Sequence, residues 1–166
     1  SYFNGNMIHI RMIKEEGIKL PILCKDFFVH KWQLYYAKSE GADAILIILA
    51  GVGKKLANEL YEEALKLNLS VIVEVHTIEE AEYALRFKDA LMGINNRNLK
   101  TLKTDINTTY DINNALRNYS GLMICESGIK TKEQLIEINF KTKIKTFLIG
   151  ESLLKNLHKN SIFSVL

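Results

Sequence analysis

The stretch Ala90-Leu91-Met92-Gly93-Ile94-Asn95-Asn96-Arg97-Asn98-Leu99 runs from a short apolar segment straight into three amides and a guanidinium. The first five residues read as a buried strand, and the polar group begins where that strand leaves the core. Such polar density beside a core strand is costly unless it is satisfied by a bound polar group or by turn hydrogen bonds. Four further apolar runs end the same way. Pro21-Ile22-Leu23-Cys24 ends in Lys25-Asp26-Phe27, and Val71-Ile72-Val73 in Glu74-Val75-His76. Leu122-Met123-Ile124-Cys125 ends in Glu126-Ser127-Gly128, and Thr146-Phe147-Leu148-Ile149 in Gly150-Glu151-Ser152. Function carried at the C-terminal ends of repeated strands is the logic of a (β/α)₈ barrel.

The elements between these runs fit that pattern. Met7 to Glu16 reads as a helix closed by Gly17, and Trp32 to Lys38 as a second, stopped by Gly41. Ala44 to Ala50 is apolar on both faces, as in a parallel strand covered on both sides. Leu56, Leu60, Ala64 and Leu67 recur at helical spacing over Lys54–Leu67. Thr77 with Glu80, and Thr131 with Gln134, have capping-box spacing; they open helices to Phe87 and to about Asn139. Further helices are expected over Asn107–Asn118 and Glu151–Leu157. Six strands alternating with helices imply a parallel sheet joined by right-handed crossovers. Strand order separates the two architectures of this kind. Barrel neighbours follow chain order, whereas a doubly wound open sheet reverses once.

Bulk properties narrow the function. A chain of 166 residues, 48% hydrophobic and 25% charged, is sized for a single domain over 1–166. A net charge of +3 with interspersed signs argues against nucleic acid as a partner and tolerates a phosphorylated anion. Lys141, Lys143 and Lys145 read as a solvated loop. Cys24 and Cys125 lie inside strands and read as buried free thiols of a reducing compartment. His9, His30, His76 and His158 show no metal-ligand spacing with them. The longest apolar run, Ala42 to Val52, is too short to cross a bilayer, and no signal peptide is visible. A cytoplasmic location without membrane association is expected.

Lys25-Asp26-Phe27, Gly41-Ala42-Asp43-Ala44, Val73-Glu74-Val75-His76, Gly93 to Leu99, Glu126-Ser127-Gly128-Ile129 and Leu148-Ile149-Gly150-Glu151-Ser152-Leu153 occur in order and in register. Together they resemble the indole-3-glycerol phosphate synthase family, from about Tyr2 to the end of the chain. The resemblance implies a TIM-type (β/α)₈ barrel without cofactor or metal. It implies a carboxy-lyase that closes, decarboxylates and dehydrates 1-(2-carboxyphenylamino)-1-deoxyribulose 5-phosphate. By that resemblance Lys25 is the general acid that protonates the ribulose carbonyl, and Glu74 is the acid/base carboxylate of the dehydration. Asn95 and Arg97 hold hydroxyl and carboxylate groups of the substrate; Glu126 and Ser127 orient the reacting groups. Phe27 and Leu99 form an apolar slot for the aromatic ring, with plain core packing as the alternative. Gly128, Gly150, Glu151 and Ser152 form the phosphate cradle, the backbone meeting the anion and the Glu151 side chain turned away.

Residue chemistry agrees with these roles. In Val71-Ile72-Val73-Glu74-Val75 the valines share one face, so Glu74 shares the other with Ile72. A buried carboxylate there needs a cation such as Lys25 or a place at a solvated mouth.

The chain also departs from the family. A full barrel takes about 250 residues. The opening Glu-x-Lys-x-x-Ser-Pro-Ser segment has no counterpart, since the single proline is Pro21. By register Ser1 lies just past the second strand, so about six β/α units, strands 3–8, are expected as an incomplete barrel. Its open edges would suit pairing with a missing N-terminal segment or with a second copy. An inactive remnant that folds and binds a phosphorylated ligand or partner chain is the alternative reading. Cys24 stands where Arg is common, His30-Lys31 replaces Asp-Pro, and Phe140 to Lys145 replaces an Ala/Gly-rich approach to the last strand.

Overall fold

The computed structural model describes residues 5–155. Tyr2, Leu157 and His158, which figure in the sequence reading, lie outside the described residues. The chain packs as two compact units, one of residues 5–74 with 87–90, the other of 75–86 with 91–155.

The first unit contains α1 (Ile8–Glu15), β1 (Leu23–Cys24), α2 (Lys31–Ser39), β2 (Ala44–Ile48), α3 (Leu49–Lys66) and β3 (Ser70–Val75) up to Glu74. Its strands are parallel and follow chain order, β1 on β2 and β2 on β3, with Cys24 level with Ile45 and Ile48 level with Glu74. Ile45, Leu46, Ile47 and Ile48 are all buried, as expected of a strand covered on both faces. The strand expected over Ala44–Ala50 stops at Ile48, and Leu49 already turns into α3. A break at Gly53 (φ 69°, ψ 172°) precedes the expected amphipathic helix, whose Ala57, Leu60 and Ala64 face the core. This φ favours glycine because it costs an L side chain a steric penalty. Asp43 ties the strand entry down, accepting from Lys14 Nζ (2.7 Å) and from the Ile22 amide (2.8 Å).

His30 takes over the N-cap of α2. Its Nδ1 accepts from the Trp32 amide at 3.1 Å, while Gln33 Oε1 accepts from the amides of Val29 and His30. The replacement at His30-Lys31 therefore keeps a capped helix start.

The second unit contains α4 (Ile78–Ala84), β4 (Leu91–Asn95), α5 (Asn107–Ala115), β5 (Met123–Glu126), α6 (Lys132–Thr142), β6 (Thr146–Leu148) and α7 (Glu151–Lys155). Strand order again follows the chain, β4 beside β5 and β5 beside β6, all parallel. Neither unit reverses its order, as a doubly wound sheet would. Both partners of the Thr131/Gln134 capping box are made. At Thr77 half of the expected box forms: its hydroxyl accepts from the Glu80 amide, but the Glu80 carboxylate reaches the His76 amide at 2.7 Å. Helix α4 ends at Ala84 rather than Phe87, and Phe87 packs instead on Tyr61 within the first unit.

The lysines at 141–145 differ from the expected loop. Lys141 belongs to the last turn of α6, bonds Glu137 at 2.5 Å and lies over the Tyr110 ring. Lys143 is the left-handed C-cap of the same helix (φ 65°). Among the described residues no helix is long and apolar enough to cross a membrane.

Candidate functional site

In the first unit, strand alternation decides which groups meet. Val71, Val73 and Val75 leave one face of β3, and Ile72 and Glu74 the other. Glu74 is fully buried, with 0% exposure, and a carboxylate so placed requires a cation. Lys25, one residue past β1, supplies it: Nζ lies 3.4 Å from Glu74 Oε2 although 49 residues separate the two. The lysine keeps 42% of its side chain in solvent, so the pair has one buried and one accessible member. Next to Lys25, Asp26 Oδ1 accepts from the Phe27 amide at 2.8 Å. Neighbouring Cys24 is a buried free thiol. Desolvation, with Asp26 adding to it, pushes that thiol up to about 11, so it stays neutral. Phe27 is 56% exposed and Leu99, in the second unit, 37%. Plain core packing therefore explains neither.

The second unit holds the remaining candidates. Asn95 and Glu126 end β4 and β5 as register neighbours, so their side chains leave the same face of the sheet. Both residues are buried. Asn95 Oδ1 accepts from the Arg97 amide (2.9 Å), and Asn98 Oδ1 from the amides of Lys100 (2.9 Å) and Thr101 (3.0 Å). The loop then returns, Arg97 bridging Thr104 in antiparallel fashion. The polar stretch is thus in large part a self-satisfied turn. Arg97 uses its two terminal nitrogens separately, one on the Leu102 carbonyl (3.1 Å) and one on the Glu151 carboxylate (3.0 Å).

The phosphate-cradle candidates gather around the same loop. Ser127 and Gly128 both have left-handed backbone, φ 63° and 78°. A Cβ on Gly128 would lie 3.2 Å from Thr104 Cβ, so glycine permits that close approach. Ser152 donates its hydroxyl to the Ile129 carbonyl, which ties the start of α7 to the segment after Gly128. The Gly150 carbonyl accepts from the amides of Leu153 and Leu154. Glu151 is held by Arg97 through its side chain.

One residue with a central place in this unit carries no role in the sequence reading. Asn96 is 2% exposed, and its amide reaches the helix layer rather than the face shared by Asn95 and Glu126. Oδ1 accepts from the Thr109 amide (3.1 Å) and hydroxyl (2.8 Å). Nδ2 approaches Cys125 Sγ (3.3 Å) and the carbonyls of Glu126 (3.0 Å) and Ser127 (3.2 Å). Burial raises the Cys125 thiol, with the Thr109 and Asn96 hydrogen bonds partly offsetting it, so it sits there as a neutral group. Alternation along 95–97 already signals that Asn96 faces away from Asn95, toward Cys125's side of β5.

Residues 1–164 match the family model described as indole-3-glycerol phosphate synthase. The indole-3-glycerol phosphate synthase of Bacillus cereus is 38% identical over 162 residues, covering 98% of this chain and 63% of that protein. That of Aquifex aeolicus is 40% identical over 156 residues, covering 93% and 60%. The chain thus spans less than two thirds of the length of these curated relatives. In fold it is similar to the crystal structure of 3-keto-L-gulonate-6-phosphate decarboxylase from Vibrio cholerae. The TM-score is 0.72 at 14% identity, over 96% of this chain and 76% of the other. The fold class is that of the (β/α)₈ barrels, represented by six β/α units.

Proposed function

Because this chain belongs to the indole-3-glycerol phosphate synthase family, we propose that its site serves the reaction named for that family. In that reaction 1-(2-carboxyphenylamino)-1-deoxyribulose 5-phosphate gives indole-3-glycerol phosphate, carbon dioxide and water. The observation that carries the proposal is the 3.4 Å approach of Lys25 Nζ to buried Glu74. A half-exposed ammonium held by a buried carboxylate is an oriented proton donor. Lys25 protonates the ribulose carbonyl as the aromatic ring carbon attacks it, and loss of carbon dioxide restores aromaticity. Glu74 then moves the protons of the dehydration, taking one from the new ring as the hydroxyl leaves as water.

Asn95 holds a substrate hydroxyl, and the planar fork of Arg97 takes the substrate carboxylate. Glu126 and Ser127 orient the reacting groups. Phe27 and Leu99 are each exposed and are the apolar candidates for contact with the aromatic ring. Gly128 and the backbone at Gly150–Ser152 receive the phosphate. The small net positive charge suits an anionic substrate.

The test is formation of indole-3-glycerol phosphate by this chain, followed by its indole absorbance, alone and with the N-terminal portion of a longer relative supplied. Turnover in either condition supports the reading. Binding of substrate without turnover in both points to a phosphate-ligand-binding chain that does not catalyse, and absence of binding rejects the reading altogether.

A further inference from the structure

We propose that Asn96 is a positioning residue: anchored to Thr109 and Cys125, it fixes where Asn95 and Arg97 present their side chains. The inference rests on the proposed substrate contacts of those two neighbours, and the anchor itself is visible without them. Asn96 lies between them in sequence and is held at every polar group. Its amide donates to the Glu126 carbonyl (2.9 Å), and its carbonyl accepts from the Asp105 amide (2.8 Å). The first bond extends the β4–β5 pairing one residue past the strand; the second closes the returning loop.

The side chain does a different job. Helix α5 (Asn107–Ala115) has Ile106 at its N-cap, and its first amides are met locally: Asn107 by Asp105 Oδ1 (3.0 Å), Thr108 by the Asp105 carbonyl (3.2 Å) and Thr109 by the Ile106 carbonyl (3.1 Å). Thr109 is in the first turn, and Asn96 Oδ1 accepts from both its amide and its hydroxyl. Asn96 thus shares the Thr109 amide with the Ile106 carbonyl and accepts from the Thr109 hydroxyl, joining the helix start to the end of β4. Its Nδ2 closes the arrangement on Cys125 and the carbonyls of residues 126 and 127, while Thr109 Oγ1 also meets Cys125 Sγ at 3.3 Å. A sheet strand and a helix start therefore fix one residue from two directions. Since adjacent residues alternate faces, locking Asn96 into the helix side sets the opposite side for Asn95 and Arg97. Displacement of such groups by about 1 Å costs binding geometry heavily.

Thr109→Val tests this, because it removes the hydroxyl at nearly constant volume and leaves the Thr109 amide in place; Thr109→Ser restores the hydroxyl. Two readouts are taken on the full chain: residue-resolved amide exchange without ligand, and the Kd of 1-(2-carboxyphenylamino)-1-deoxyribulose 5-phosphate. In Thr109→Val, exchange at residues 96–98 rises about tenfold, on the scale of one buried hydrogen bond. Exchange at Val71 and Val73 is unchanged, Kd weakens by a similar factor, and Thr109→Ser returns both toward wild type. A fall in melting temperature with Kd unchanged, or faster exchange spread evenly over the chain, overturns the proposal. If the wild-type chain binds no substrate, the proposed function fails, and the exchange experiment alone decides the positioning role. Unchanged exchange at 96–98 would then reject it.

Discussion

Lys25–Glu74 and the Asn95–Asn98 loop both stand at strand ends, yet they solve the same electrostatic problem in opposite ways. The first brings together a full positive and a full negative charge across 49 residues, one partner buried and one half in water. The second spreads its hydrogen bonds over neutral amides that cap their own turn and join a neighbouring helix. The contrast separates two kinds of polar strand end. Where the buried group is a carboxylate, it meets an opposite charge from elsewhere in the chain. Where it is an amide, neutral partners suffice, the loop's own backbone for Asn95 and Asn98 and packed segments for Asn96.

The largest effect expected from breaking that contrast falls on the charged pair. Lys25→Met and Glu74→Gln each lower indole-3-glycerol phosphate formation by about 10²–10⁴-fold, the usual worth of a positioned acid or base. Steady-state assay checks this, with circular dichroism confirming that the fold persists. Asn96→Ala probes the amide case and acts chiefly on stability. It removes the acceptor of the Thr109 hydroxyl and the donor to three acceptors, and should cost about 3 kcal/mol in denaturant unfolding.

Arg97→Lys sharpens the comparison at the boundary between the two behaviours. One ammonium cannot reproduce a fork that reaches Leu102 and Glu151 through separate nitrogens. Substrate affinity should fall roughly tenfold, the equivalent of one charge-assisted hydrogen bond, with melting nearly unchanged. Titration calorimetry distinguishes the outcomes.

The smallest effect concerns a charged group at the entry to β2, the end away from Ile48 and Glu74. Lys14 and the Ile22 amide hold the Asp43 carboxyl below its ordinary value. That stabilisation is present above the unfolded-state carboxylate pKa and is lost as pH falls through the lower folded value. Asp43→Asn is therefore expected to destabilise the chain at neutral pH by about 0.5 kcal/mol, given its solvent exposure. The difference from wild type disappears in acid below the carboxylate range, as melting curves against pH would show.

Much of the fold, and the strand-end position of each candidate site residue, can be read from the sequence. Apolar runs bounded by Gly, Thr and polar clusters locate all six strands, because burial on both faces leaves no room for alternation in β2 and β5. The ends are less legible. Ala44–Ala50 looks continuous in sequence, yet Leu49 begins α3, since an apolar residue serves equally well in a buried strand or a buried helix turn. Glu74 is legible because period-two alternation is local, and its burial demands a cation. Lys25 is an obvious candidate but not a necessity until the strands pair.

Asn96 is the opposite case. Its face follows from its neighbours, but its partners do not. They exist because the start of α5 lies against the ends of β4 and β5 at the height of Thr109. The sequence by itself determined which residues stand at strand ends and which side each one faces, because both follow from the backbone's own repeat. Only the tertiary structure decided which of those polar groups meet a charge, which meet an amide, and which are spent on holding the loop. Those outcomes depend on the distance between segments remote in the chain, and packing alone sets that distance.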